Sequence, residues 1–123
     1  MPARDGLIDG REPASQDELR TAIGLDRLRH TYVYQYQVYD IRGARGTFFV
    51  DFFVTSTPPL PTPLEVNGEF WHQGEMSDEE LFRIAQIEDY FRGRANPLKI
   101  LWGSETLTQD STDAALRLKV GPG

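Results

Sequence analysis

Thr47-Phe-Phe-Val-Asp-Phe-Phe-Val-Thr55 is the stretch on which the reading of this chain turns. Aromatic and β-branched residues fill it, which is the composition of a strand. Apolar side chains fall on both parities, so both faces of that strand have to be covered. Upstream, Thr31 to Ile41 carries Tyr32, Val33, Tyr34, Tyr36, Val38 and Tyr39, a second strand. Arg42-Gly-Ala-Arg-Gly46 lies between them and has turn composition, so the two strands are expected to pair as a hairpin.

Working outward, Ser15-Gln-Asp-Glu18 is a capping-box pattern followed by Leu19, Ile23 and Leu28, which predicts a helix from 16 to about 29. Residues 1–14 are rich in Gly, Pro and charge and are expected to form a flexible arm ahead of a single domain over 15–123. Downstream, Ser56-Thr-Pro-Pro-Leu-Pro-Thr-Pro63 excludes a helix and gives a stiff, extended connection. Leu64-Glu-Val-Asn67 is a short strand stopped by Gly68. Ser77-Asp-Glu-Glu80 opens a second helix to about Arg92, with Leu81, Ile84, Ala85, Ile87 and Phe91 as its apolar stripe. Pro97 to Trp102 is a strand and Ser111 to Lys119 a terminal helix. The order α-β-β-β-α-β-α, with a helix between the last two strands, predicts an α/β fold. Its sheet is small and mixed, of about four strands, and is flanked by helices.

A chain of 123 residues has the size of one domain. It has no cysteine, which excludes disulfides and thiolate–metal sites and suits a reducing compartment. No apolar run approaches the roughly 20 residues that span a bilayer, and Met1 to Ser15 lacks a signal-peptide pattern. The expectation is a soluble, cytoplasmic protein with no membrane contact. Net charge is −6, which disfavours a polyanion partner, but the charge is uneven. Residues 1–50 carry seven basic and seven acidic side chains. Residues 51–91 carry nine acidic side chains against Arg83 alone, and residues 92–123 carry five basic and three acidic. The arginines outside the acidic third are free to form a basic surface or to stand singly in solvent.

Asp51 is the first chemical anomaly. A carboxylate between two apolar triplets is costly unless it is hydrogen-bonded, ion-paired or bound to a metal, or faces water from an edge strand. Glu65 and Asn67 come next. Residues two apart on a strand share a face, so if this strand lies beside that of Asp51, two carboxylates and an amide oxygen converge. Such a hard-oxygen set suits Mg²⁺ or Mn²⁺. The plainer account of Glu65 is a surface residue opposite a core-facing Val66. His72, in Gly68-Glu-Phe-Trp-His72, either positions a water or merely caps a buried Trp71. Glu18 is explained by the capping box alone. Gln35 and Gln37 alternate with tyrosines and either support a site or face solvent. No Ser/His/Asp triad, Gly-rich phosphate loop or His-rich zinc spacing is present.

Val50-Asp51-Phe52, then Leu64-Glu-Val-Asn-Gly68, then Phe70-Trp-His72, in this order and on these elements, resembles the PD-(D/E)XK nuclease superfamily, in particular its very-short-patch-repair endonuclease group. The resemblance covers roughly residues 15–118. It implies a restriction-endonuclease-like core and metal-dependent hydrolysis of DNA phosphodiesters. Asp51 and Glu65 would hold Mg²⁺ or Mn²⁺, His72 would orient or deprotonate a water, and Asn67 would position the substrate. Glu18 would match the acidic residue of the first helix, with Gln37 in support. Arg29, Arg42 and Arg45 would hold the DNA backbone. Asn67 stands where the pattern usually has lysine. The alternative left open is a catalytically inactive nuclease fold, phage-encoded for example, used for assembly. It would act as a homodimer or meet a protein partner through the Pro-rich 58–63 segment.

Overall fold

A computed structural model describes residues 3–39, 47–69, 74 and 76–123; Arg42, Arg45, Trp71 and His72 lie outside the described residues. The chain runs β1 (Ala3–Arg4), β2 (Leu7–Ile8), α1 (Gln16–Arg27), β3 (Tyr32–Tyr39), β4 (Thr47–Val54), β5 (Thr62–Asn67), α2 (Asp78–Phe91), β6 (Lys99–Trp102) and α3 (Gln109–Val120). The main sheet has four strands in the order β3-β4-β5-β6. Pairing is antiparallel from β3 to β5 and parallel between β5 and β6, with α2 in the connection between the parallel strands. This is the mixed α/β sheet with flanking helices that the order of elements predicts.

Each helix starts where its cap dictates. Ser15, Ser77 and Thr108 sit in extended backbone and accept the N–H groups of Glu18, Glu80 and Ser111. Gly24 lets α1 approach α3: a Cβ there would stand 2.6 Å from the Leu116 side chain and 2.7 Å from Asp113 Oδ1. Ala22 and Leu25 of α1 and Ala115 and Leu116 of α3 then pack on Tyr32, Tyr34, Phe52, Val54, Leu64 and Leu101. A second cluster joins Ile87 and Phe91 of α2 to Val38 and Val50, with Tyr36, Phe48 and Phe53 beside them. Phe52 and Phe53 are consecutive in a strand yet belong to different clusters, so the two clusters lie on opposite faces of the sheet.

The β3–β4 pair changes sides halfway along. Tyr32, Tyr34, Phe52 and Val54 belong to the α1/α3 face, but Tyr36, Val38, Phe48 and Val50 belong to the α2 face. The change falls at the one rung missing between Tyr34–Phe52 and Tyr36–Val50, where Gln35 would oppose Asp51. Gln35 has φ of 56°, in the left-handed region. That backbone rotation turns the following side chains to the other face and keeps Asp51 out of both cores.

Two regions differ in detail from the sequence reading. Residues 3–14, expected as an arm, include two tight turns at Asp5-Gly6 and Asp9-Gly10, all four residues with positive φ. The first turn joins β1 to β2, and Ile8 is fully buried in the α1/α3 core. The Pro-rich stretch is tied down on its inner side. Asn96 donates to the Leu60 carbonyl at 2.6 Å and to Thr62 Oγ1 at 3.0 Å, and its N–H reaches the Pro61 carbonyl at 2.8 Å. Pro58, Pro59 and Leu60 remain exposed. Pro63 lies inside β5 but precedes its first pair with β6, Leu64–Lys99, so its missing N–H leaves no rung of that ladder open. Among the described residues no helix is long and apolar enough to cross a membrane.

Candidate functional site: an acidic pair where the central ladder ends

The β4–β5 ladder runs through Val54–Thr62, Phe53–Pro63 and Phe52–Leu64 and then stops. The next residues in register are Asp51 and Glu65. Their carboxylates take over as acceptors: the Asp51 N–H donates to Glu65 Oε1 at 3.1 Å, and the Val66 N–H donates to Asp51 Oδ2 at 2.8 Å. Two main-chain donors that would be left without partners at the parting of the strands are thereby satisfied. The exchange also holds two carboxyl groups against each other between the central strands.

Arg83 of α2 closes the gap. Its Nη1 donates to Glu65 Oε2 at 2.7 Å and to Glu80 Oε1 at 3.3 Å. Its Nη2 donates to the Phe49 carbonyl at 2.6 Å and lies 3.5 Å from Glu65 Oε1. Phe49 belongs to β4 beyond the last β4–β5 rung, so one guanidinium serves both the parted backbone and the acid. The exposure of Glu65 is 2%, so without Arg83 it would be a buried charge.

Burial drives the Asp51 carboxyl up to about 8, and the neighbouring Glu65 charge adds to the rise; the Val66 N–H and Arg83 oppose it. Burial also raises Glu65, and there the hydrogen bond and the charge of Arg83 are the main opposing effects. The two groups titrate as a pair. Arg83 favours the negative charge on Glu65 and, through its charge alone, on Asp51.

Glu18 approaches from α1. Its N–H is capped by Ser15 Oγ at 3.1 Å, but its carboxylate is not used up by the cap. Oε1 accepts from the Tyr34 hydroxyl at 2.6 Å and from Gln35 Nε2 at 3.4 Å. Its charge adds to the raised pKa of Asp51. Asn67, two residues beyond Glu65, ends β5 opposite Trp102, and its Nδ2 lies 3.6 Å from the Met76 sulfur.

The structure therefore brings Asp51 and Glu65 together, with Asn67 two residues farther along β5; Glu18 is bonded to Tyr34 and Gln35 and reaches Asp51 only through its charge. It does not bring Gln37 there: Gln37 is exposed on the sheet-edge strand β3, and Gln35 contacts Glu18 instead. Arg29 stands just past the C-terminal end of α1 with φ of 65°. Glu18 is at the other end of that helix, roughly 15 Å away at 1.5 Å per residue. Arg42, Arg45 and His72 lie outside the described residues. Arg83 is the residue the motif reading overlooked. Its signal was in the charge pattern, the single cation among nine acids over 51–91, three residues after the Glu80 that it contacts.

Asp51 and Glu65 are hard oxygen donors. Mg²⁺ commonly takes only one or two protein carboxylates and keeps water or substrate phosphate in its other positions. Asp51 Oδ1 has no hydrogen bond among the described residues, whereas both Glu65 oxygens already accept hydrogen bonds, Oε1 from the Asp51 N–H and both from Arg83. No three His, Cys, Asp or Glu side chains among the described residues are grouped to hold a metal ion, so the protein offers two donors and not a cage. The chain matches no family model, no curated protein and no solved structure.

Proposed function

We propose that the protein is a divalent-cation-dependent DNA endonuclease of the PD-(D/E)XK type, with Asp51 and Glu65 as the cation-holding carboxylates. The observation that carries this reading is the facing of a half-buried and a fully buried carboxyl group across the parted central strands, the former raised to about 8. A pair that burial keeps partly protonated is poised to lose its proton when a positive charge arrives. A bound Mg²⁺ or Mn²⁺ supplies Lewis-acid stabilisation of the charge that grows on a phosphoryl oxygen and acidifies a nearby water.

The residues of the chain provide the rest. Asp51 and Glu65 are fixed by each other's strand, so their spacing is set before substrate arrives. Glu18, held by Tyr34 and Gln35, keeps negative potential behind Asp51. Asn67 donates an amide N–H to the substrate backbone. His72, assigned from sequence alone, takes a proton from the attacking water. Arg42 and Arg45, also assigned from sequence, hold flanking phosphates, with Arg29 farther along the same duplex.

Supercoiled plasmid incubated with the protein and Mg²⁺ or Mn²⁺ tests the reading. Nicking that is abolished by EDTA and falls at least a hundredfold in Asp51→Asn is expected. Wild-type protein that leaves supercoiled, linear and branched DNA intact in both metals overturns it. A second reading, a nuclease fold reused for assembly, is favoured by one contact: Arg83 already neutralises Glu65. On that reading the fold melts at the same temperature with and without Mg²⁺.

A further inference from the structure

We propose that Arg83 is the mobile cation of this site. In the free protein it occupies the divalent cation's place on Glu65. Once a metal takes that carboxylate, Arg83 turns to the substrate phosphate. The inference rests on the cation-site reading above and adds a residue and an order of events to it.

The geometry points this way on three counts. Arg83 reaches Glu65 through both terminal nitrogens, at 2.7 and 3.5 Å, so a metal ion binding the same carboxylate oxygens meets the guanidinium at close range. Two positive charges a few Å apart on a carboxylate as buried as Glu65 repel each other, and the two cations therefore compete for it. Arg83 also has somewhere to go. Besides Glu65 it contacts Glu80 at 3.3 Å and the Phe49 carbonyl at 2.6 Å, and its side chain is 29% exposed, so its release from Glu65 strands no buried charge. Finally, among the described residues the site has no other cation in contact with the acid pair. Asn67 brings no charge, Arg29 is at the far end of α1, and Arg83 is the single basic residue of 51–91. A planar guanidinium with paired N–H donors matches a phosphate better than a point charge does.

Competition is reciprocal, so removing Arg83 must tighten metal binding even with no DNA present. Free Mn²⁺ is read by electron paramagnetic resonance during titration of wild type, Asp51→Asn and Arg83→Gln. Wild type is expected to bind, Asp51→Asn to lose binding, and Arg83→Gln to bind roughly tenfold more tightly. Anisotropy of a fluorescein-labelled oligonucleotide in Ca²⁺ is expected to show weaker DNA binding by Arg83→Gln, although its metal affinity is higher. Arg83→Lys, which keeps a charge but loses the fork, is expected to hold Mn²⁺ like wild type and still to lose DNA affinity. If Arg83→Gln binds Mn²⁺ no more tightly than wild type does, this inference falls and the cation site stands. If neither binds Mn²⁺, the cation site falls too. Should Arg83→Gln fail to fold, the wild-type protein decides by NMR. The Arg83 Nε–H signal moves on Mg²⁺ addition if the proposal holds. It stays put, while the Asp51 amide shifts, if the proposal is wrong.

Discussion

Asp51 has two properties that pull against each other: its position is structurally useful and electrostatically costly. It accepts the Val66 N–H at 2.8 Å, a bond that a neutral amide oxygen can also make, though more weakly than a carboxylate. Its charge, by contrast, has a buried acid beside it. The folded-state pKa of about 8 lies above the ordinary value of 3.8, so between those limits the native state binds more protons than the unfolded state. Stability from this group is therefore complete below about pH 4 and is lost as pH rises towards 8. In EDTA, Asp51→Asn is expected to gain on wild type by up to about 1.4 kcal/mol per pH unit across that window and to hold a constant advantage above it. Chemical denaturation at pH 4, 6, 8 and 9 reads the difference. A difference that does not change with pH would show that Asp51 is ionised throughout. Asp51 was legible in the sequence because a carboxylate inside Phe48-Phe-Val-Asp-Phe-Phe-Val54 has few peaceful explanations. Arg83 was not, because an arginine three residues from a glutamate on a helix usually makes a solvated pair.

At the scale of elements, the strands and helices follow from composition and capping, and the sheet order follows from the helix that separates β5 from β6. Two features did not follow. The change of face at Gln35 has no sequence signal, since glutamine carries no special preference for φ of 56°. The N-terminal turns did have one: Asp5-Gly6 and Asp9-Gly10 are both the dipeptide that tight hairpins favour, but strands of two residues give no periodicity to notice. Gly24 is the clearest element-scale case. Helix propensity alone makes Gly24→Ala stabilising by up to about 1 kcal/mol. The contacts with Leu116 and Asp113 reverse the sign, because a fully buried leucine methyl and a carboxylate oxygen held by Gln109 have to shift to admit a methyl group. Gly24→Ala is expected to destabilise by roughly 1–3 kcal/mol in urea unfolding. A more stable variant would mean that the α1–α3 approach is looser than the 2.6 Å spacing implies.

The described residues form a four-stranded sheet with helices on both faces and a two-stranded N-terminal ribbon, and the acid pair lies between the two central strands of the larger sheet, where they part. The first residues belong to that unit. Ile8 is fully buried with Leu25 and Leu116, and the Ala3 N–H is bonded to Asp26 at 3.0 Å. Ile8→Ala is expected to cost about 2–4 kcal/mol, as for a core residue, and a loss below about 0.5 kcal/mol in thermal or urea unfolding would return residues 1–14 to the status of an arm. Net charge of −6 disfavours non-specific association with a polyanion. Everything functional then depends on whether the facing carboxylates hold a cation. Anomalous diffraction from a crystal soaked in Mn²⁺ tests this directly. The account predicts a manganese peak within coordination distance of both Asp51 and Glu65, with the Arg83 side chain moved off Glu65. Full-strength peaks elsewhere, with Arg83 still bonded to Glu65 and no peak beside Asp51, would contradict it.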